Sequence, residues 1–523
     1  MMRRLLIAFS AISSALIFAA CSNGAGTTPN LPTSTAGSKL ERSLRHIPTP
    51  PHPPPIRHKV TGADRARALA GGWTPVQGVP SFPNGPQTEE LLTDGGVLIF
   101  DVCASNVYKL SPDQNGNYAT GSWTQLASLP SGYAPLYFAS AVLPDGKLIV
   151  NGGEYNFCNG AETTLGAIYD PVANTWASVS PPSGWSEIGD AQSVVLNNGT
   201  YMIGNCCTST QAQLNESNMT WTQVGSGKED PNSEEGWTLL KNGNVLSADV
   251  LAQPKAEYFS PTAIAWEPAG STPDTLVTGE EIGPQTLRPD GTVWVAGATG
   301  FSAIYNSKTG GWTDGPTFPV INGSQVDVAD GPSSLLPSGK VLIAGSPGLY
   351  QTPASFYLYN GSTLKAIPGP PNEMNDSSYN IRLLLLPNGQ VLEADGSLDV
   401  EVYTPRGRTD YSSRPRITSV PTTLTHGTTY TLKGRLLNGV SQDNMYGDDV
   451  QQATNYPLVR ITNGSTGHVF YCRTHDHSFM GVNDRKKKVT TMFDVPSSIE
   501  TGAGTLQVVT NGIASAPVSV TVQ

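Results

Sequence analysis

The sequence predicts an all-β chain, with seven four-stranded units closing a ring and a β-sandwich behind them. Three observations lead there. An apolar strand, a tight Asp/Asn/Ser-Gly turn and a second apolar strand recur seven times. Glycine (55) and proline (42) are abundant, while only 14% of the 523 residues are charged. No long amphipathic stretch of helical period runs between residues 75 and 523. Chains rich in turn residues and poor in charge build short strands, because glycine and proline interrupt helices.

In chain order, the first element is a leader. Met1-Met2-Arg3-Arg4 is basic, and LLIAFSAISSALIFAA after it is apolar but short for a membrane span. The run ends in Phe18-Ala19-Ala20-Cys21. This resembles a bacterial lipobox, and the resemblance makes Cys21 the lipid-bearing residue. Residues 1–21 are thus expected to be a signal segment, and the protein an exported lipoprotein of the cell envelope. Without the lipid it would be periplasmic or secreted. Residues 22–69 read as a Pro-rich flexible tether, with IPTPPHPPP at 47–55.

The repeats follow. They are LLTDGGVLIF, VLPDGKLIVNGG, VLNNGTYMIGN, LLKNGNVLSAD, LRPDGTVWVAG, LLPSGKVLIAG and LLPNGQVLEADG. Their turn glycines are Gly95, Gly146, Gly199, Gly243, Gly291, Gly339 and Gly389, spaced 51, 53, 44, 48, 48 and 50 residues apart. A third strand often carries a tyrosine (Tyr108, Tyr169, Tyr258, Tyr305, Tyr403), and a fourth a tryptophan (Trp123, Trp176, Trp221, Trp266, Trp312). Four strands per repeat at this period is the kelch form of the β-propeller, here with seven blades over residues 70–408. The seventh repeat lacks a fourth strand, while GGWTPVQGVP at 71–80 has no partner before it. Trp73 is therefore expected to complete the last blade.

Beyond residue 409 the strands lengthen: TYTLKGRL, PLVRIT, VFYCRTH, KVTTMFDV, TLQVVT and PVSVTV. Residues 409–523 are expected to form an immunoglobulin-like sandwich, without the Cys…Trp…Cys signature of antibody domains. Its CRTHDHSFM segment places His475 and His477 two apart, on one face if the strand continues.

Propeller and sandwich together resemble the galactose oxidase and glyoxal oxidase family. The more specific marks are YGDDVQQATNYPLVRI at 446–461, the Thr474-His475 pair and the closing VVTNGIASAPVSVTV. The resemblance implies a copper radical oxidase in which His475 matches a histidine ligand carried up the pore. It also implies ligands nine or ten residues before the turn glycines. Tyr379 matches the axial tyrosine. Asn380 stands where the family has histidine, Tyr137 where it has the thioether cysteine, and Asp190, or Ala191 one place on, where it has the cross-linked tyrosine. Residues 59–425 contain no histidine. Copper is implied by the resemblance, yet its ligand set is incomplete, and the expectation leans away from an enzyme.

The same register gathers Pro86, Tyr137, Asp190, Glu234, Ile282, Asp330 and Asn380, with Glu281 one place earlier. Oxygen donors at a pore mouth suit a hard cation or a polyol. The leading expectation is a carbohydrate- or envelope-ligand-binding module. An alternative is a metal-dependent oxidoreductase acting on alcohols, aldehydes or sugars through His475, His477, Tyr379 and Asp190. A further alternative is a protein-binding adaptor. The net charge of −11 argues against nucleic acid. The chain is expected to be a monomer that meets the membrane only through its lipid. Cys103, Cys158, Cys206 and Cys207 each follow a second strand, so a disulfide among them is expected, from Cys158 to Cys103 or to one of the vicinal pair.

Overall fold

The computed structural model describes residues 58–206, 208–443, 452–483 and 486–523. Cys21, Cys207 and part of the 446–461 motif therefore lie outside the described residues.

The repeats fold as seven four-stranded antiparallel sheets. Each runs first, second, third, fourth strand in order, as in Ser302–Asn306 between Thr292–Gly297 and Gly311–Asp314. All seven turn glycines have positive φ, between 77° and 94°, where a Cβ would be strained; this fixes each two-strand register. Trp73–Pro75 pairs with Glu401–Tyr403, Trp73 opposite Tyr403, so a strand from the start of the described chain completes the seventh sheet.

The fourth-strand tryptophans link neighbouring sheets. Trp123 Nε1 donates to the Gln77 carbonyl at 3.1 Å, Trp176 to Ala127 at 3.0 Å, Trp221 to Ser180 at 2.7 Å and Trp312 to Ala269 at 2.9 Å. Trp73 donates to the Pro368 carbonyl at 2.7 Å, across to the sixth sheet. Each indole buries apolar area and satisfies its one donor on the preceding repeat. Between the fifth and sixth sheets, where this link is missing, Trp294 stacks on Tyr359 with ring centroids 4.1 Å apart.

One expectation needs correction. The flexible tether expected through residue 69 stops short of it, because Gly62–Gly71 is a helix. Thr61 and Asp64 form a reciprocal capping box that satisfies its first turn, and Arg67 pairs with Glu373.

The strands from Arg416–Ser419 to Val518–Val522 make a nine-stranded assembly around Leu432, Ile461, Cys472, Phe493 and Val508. It docks on the end of the repeats where the turn glycines lie. Thr474 N donates to the Thr93 carbonyl at 3.1 Å, His477 N to Pro144 at 3.1 Å and Met480 N to Asn197 at 3.3 Å. Gln452 Nε2 reaches the Glu89 carbonyl at 3.0 Å, and the Leu335 amide donates to Asp443. The segments flanking residues 444–451 thus enter among the first strands, and Ser441, Gln442 and Asp443 share a small cavity with Thr238, Leu239, Gln285 and Leu287.

Candidate functional site

The opposite end of the sheets, where first strands begin and second strands finish, collects the residues singled out by register. Tyr137 and Asp330 lie just before their strands with φ of 51° and 45°, and Tyr379 and Asn380 sit in a 3-10 turn ahead of Arg382–Leu385. They are thus entry-loop residues whose side chains the strand pleat does not dictate. All of Tyr137, Asp190, Glu234, Asp330, Tyr379 and Asn380 are buried.

Two groups form there. The first is aromatic. Tyr137, Tyr155 and Tyr379 pack with Leu136 around a disulfide between Cys103 and Cys158, which joins the exits of the first and second sheets with Cα atoms 5.1 Å apart. Tyr350 meets Tyr379 edge-on at 5.3 Å. Arg382, wholly buried, donates to the Tyr379 carbonyl at 2.9 Å and lies 5.7 Å from the Tyr137 ring centre. Beside it, burial drives the Glu89 pKa well above its ordinary value, although the Arg382 charge opposes the rise.

The second group is acidic. Glu234, Glu281 and Asp330, contributed by the approaches to the fourth, fifth and sixth sheets, each offer a carboxylate oxygen within 4.8 Å of the others. Tyr350 donates to one oxygen of Glu281; the other is buried and meets no donor among the described residues. Burial first, then the Asp330 charge and a proton shared with Asp330, raise the Glu281 pKa well above normal; the Asp190 charge adds to this and the Tyr350 hydroxyl opposes it. Asp190 faces Glu162 and the Cys206 thiol, again within 4.8 Å.

One residue away from Glu234, a second acidic group is built differently. Asp230, Glu235 and Asp249 each offer an oxygen within 4.8 Å of the others, and the fully buried Lys228 ammonium has its Nζ 2.9 Å from Glu235 and 2.9 Å from Glu257. The Trp266 ring lies 4.4 Å below that ammonium, and Asp230 accepts from the amides of Val250 and Leu251 at 2.7 and 3.2 Å. Burial alone would neutralise Lys228, but the two glutamates more than offset it and hold its pKa above normal.

The histidines are elsewhere. Val469–His475 ends at His475, whose Nδ1 and Nε2 face Asp476 at 3.0 Å and Asp494 at 3.1 Å. Asp476 then turns with φ of 50°, so the same-face spacing is broken. His477 contacts Thr491 at 2.9 Å and stacks near Tyr456; burial, then His475 and Arg473, hold its pKa down at about 3, so it is neutral. Both sit at the turn-glycine end. Tyr137 and Pro144 flank opposite ends of the strand Ala139–Val142, roughly 20 Å apart at the usual rise per residue. The expected set of His475, His477, Tyr379 and Asp190 is therefore not brought together.

Copper does not fit the residues at the strand-start end. Tyr137, Asp190 and Asn380 replace the implied sulfur, phenol and imidazole donors, and imidazole is the donor such a centre needs. Register reasoning found Glu234, Glu281, Asp330 and Asp190, but it missed Glu162, Tyr155, Tyr350 and Arg382. Tyr350 follows a second strand, as Cys103, Cys158 and Cys206 do. Reading second-strand exits for all residue types would have included it. Among the alternatives for the disulfide, Cys103–Cys158 forms; Cys472 is a buried free thiol.

No protein-family model matches the chain. Over 146 residues it is 31% identical to the kelch-like protein terF of Aspergillus terreus, covering 26% of this chain and spanning 28% of that relative's length. Among solved structures, a fungal alcohol oxidase of the AA5 family in complex with copper aligns with a TM-score of 0.49 and 15% identity, over 86% of this chain and 99% of that one. A streptogramin B lyase aligns with a TM-score of 0.47 and 12% identity, over 64% of this chain and 97% of its own. The kelch-type repeats read from the sequence are thus met again in a curated relative.

Proposed function

We propose that this galactose oxidase-like kelch chain binds a ligand and is not a copper radical oxidase. In this reading it is a seven-bladed propeller backed by an immunoglobulin-like sandwich, exported and anchored by a lipid on Cys21. Its strand-start face takes a carbohydrate or another polyol of the cell envelope. The observation that carries the reading is the composition of that face. Tyrosines and carboxylates from adjacent sheets converge where the family resemblance would need cysteine and histidine. Phenol rings stack on the C–H faces of sugars while carboxylates accept from their hydroxyls, and neither group needs a redox metal.

The test is glycan binding by the full chain, together with peroxide release from galactose, glyoxal and simple alcohols. Binding lost in Asp190→Ala and Asp330→Ala, with no peroxide, supports the reading. Binding indifferent to both substitutions, or turnover with stoichiometric copper, removes it. For the anchor, Cys21→Ser should release the protein from membranes; unchanged fractionation contradicts the lipid.

A second reading, a metal-dependent oxidoreductase, is favoured by one set only. Glu162, Asp190 and the Cys206 thiol could hold a borderline metal such as zinc or iron. Activity lost in Cys206→Ser but kept in His475→Ala would select it.

A further inference from the structure

We propose that Glu234, Glu281 and Asp330 hold a hard divalent cation of the calcium class. The site deepens the ligand reading above, since a cation here can present open coordination positions to vicinal hydroxyls.

The geometry is that of a chelate. Three adjacent sheets deliver one carboxylate each, and the three oxygens lie within 4.8 Å of one another. All three residues are buried, Glu281 completely. Carboxylates so close and so desolvated cannot all remain charged without a compensating positive charge or shared protons. The charges acting most strongly on Glu281 are those of Asp330 and Asp190, and both are negative.

A second observation points to an occupant. One oxygen of Glu281 is taken by the Tyr350 hydroxyl, which orients the carboxyl. The other is fully buried and takes no donor among the described residues, save a proton shared with Asp330 when one of the two carboxyls is neutral. A buried acceptor without a donor is costly, and a cation removes that cost. The adjacent acidic group differs in holding a cation of its own: Lys228 pairs with Glu235 and Glu257, and the Val250 and Leu251 amides donate to Asp230, although Asp230 and Asp249 each keep one buried oxygen with no partner among the described residues.

The donor set selects the metal. Three carboxylates with no nitrogen or sulfur favour a hard ion, and calcium tolerates six to eight oxygens in loose geometry. Three residues leave coordination positions for water or for a ligand's hydroxyls.

The experiment is calorimetric titration of calcium into the full chain after removal of metal by chelator, with no saccharide present. The expected result is about one equivalent bound, with affinity reduced about tenfold or more in both Glu281→Gln and Asp330→Asn. Far-ultraviolet circular dichroism checks that both variants fold. A parallel melting scan should show the wild type, but neither variant, stabilised by calcium. No binding by the wild type overturns the proposal, as does undiminished binding in both variants. Because no sugar is used, calcium binding without glycan binding sinks the ligand reading alone, and glycan binding without calcium binding sinks this site alone.

Discussion

Glu234 and Glu235 are neighbours in sequence, yet they belong to two acidic groups with opposite solutions to one electrostatic problem. Glu235, grouped with Asp230 and Asp249, lies against Lys228, whose ammonium pairs with Glu235 and Glu257. Glu234, with Glu281 and Asp330, has a phenol donor and an orphaned oxygen. The first group carries its own counter-charge, as expected of a structural element holding the fourth sheet to its approach loop, although Asp230 and Asp249 each keep one buried oxygen without a partner among the described residues. In the second, the Glu281 carboxyl faces the like charges of Asp330 and Asp190, and the proposed cation answers them. Buried carboxylates alone do not distinguish structure from function; the presence or absence of an internal counter-charge does.

The comparison breaks most visibly at Lys228. Lys228→Met should destabilise the protein by about 3–5 kcal/mol in urea unfolding, since it strands Glu235 and Glu257 as uncompensated buried charges. A loss under about 1 kcal/mol would mean that the glutamates are protonated and the lysine is no counter-ion. Burial already pushes Asp249 up to about 8, so this group has little charge to spare.

The Glu281 group sharpens the contrast through pH. Its folded-state pKa lies well above the ordinary 4.5, chiefly from burial. In metal-free protein its contribution to stability is therefore complete below about pH 4.5 and is lost as pH rises toward the folded value. Glu281→Gln abolishes that titration. The metal-free variant should exceed the wild type in stability by roughly 1–3 kcal/mol at pH 8, with the difference vanishing near pH 4. Equal pH profiles would show that Glu281 is already neutralised within the fold.

The smallest effect is expected at His475. Its two contacts, with Asp476 and Asp494, lie at the half-exposed edge of the C-terminal assembly. His475→Ala should cost less than about 1 kcal/mol and leave metal binding unchanged. Loss of a bound metal in this variant would restore the histidine-centred site that the sequence suggested.

How far the sequence could be read differs between architecture and site for a physical reason. Turn glycines and fourth-strand tryptophans are local signals with obligatory geometry, a positive φ or an indole donor seeking a carbonyl. The seven four-stranded sheets and the closing strand at Trp73 were therefore visible in the spacing. The acidic oxygens were legible too, because a fixed distance from each turn glycine places them at one end. The histidine pair misled because a period of two holds only while a strand continues, and Asp476 ends it. The disulfide remained one of several possibilities in the sequence, since pairing depends on which sheet exits are neighbours. Lys228 and Tyr350 gave no signal in the first-strand register, since neither lies in it.

Elemental analysis of protein purified without chelators tests the central claim most directly. The account predicts calcium or a comparable hard cation near one equivalent per chain, with copper far below stoichiometry. One equivalent of copper, with the hard cation absent, would contradict it.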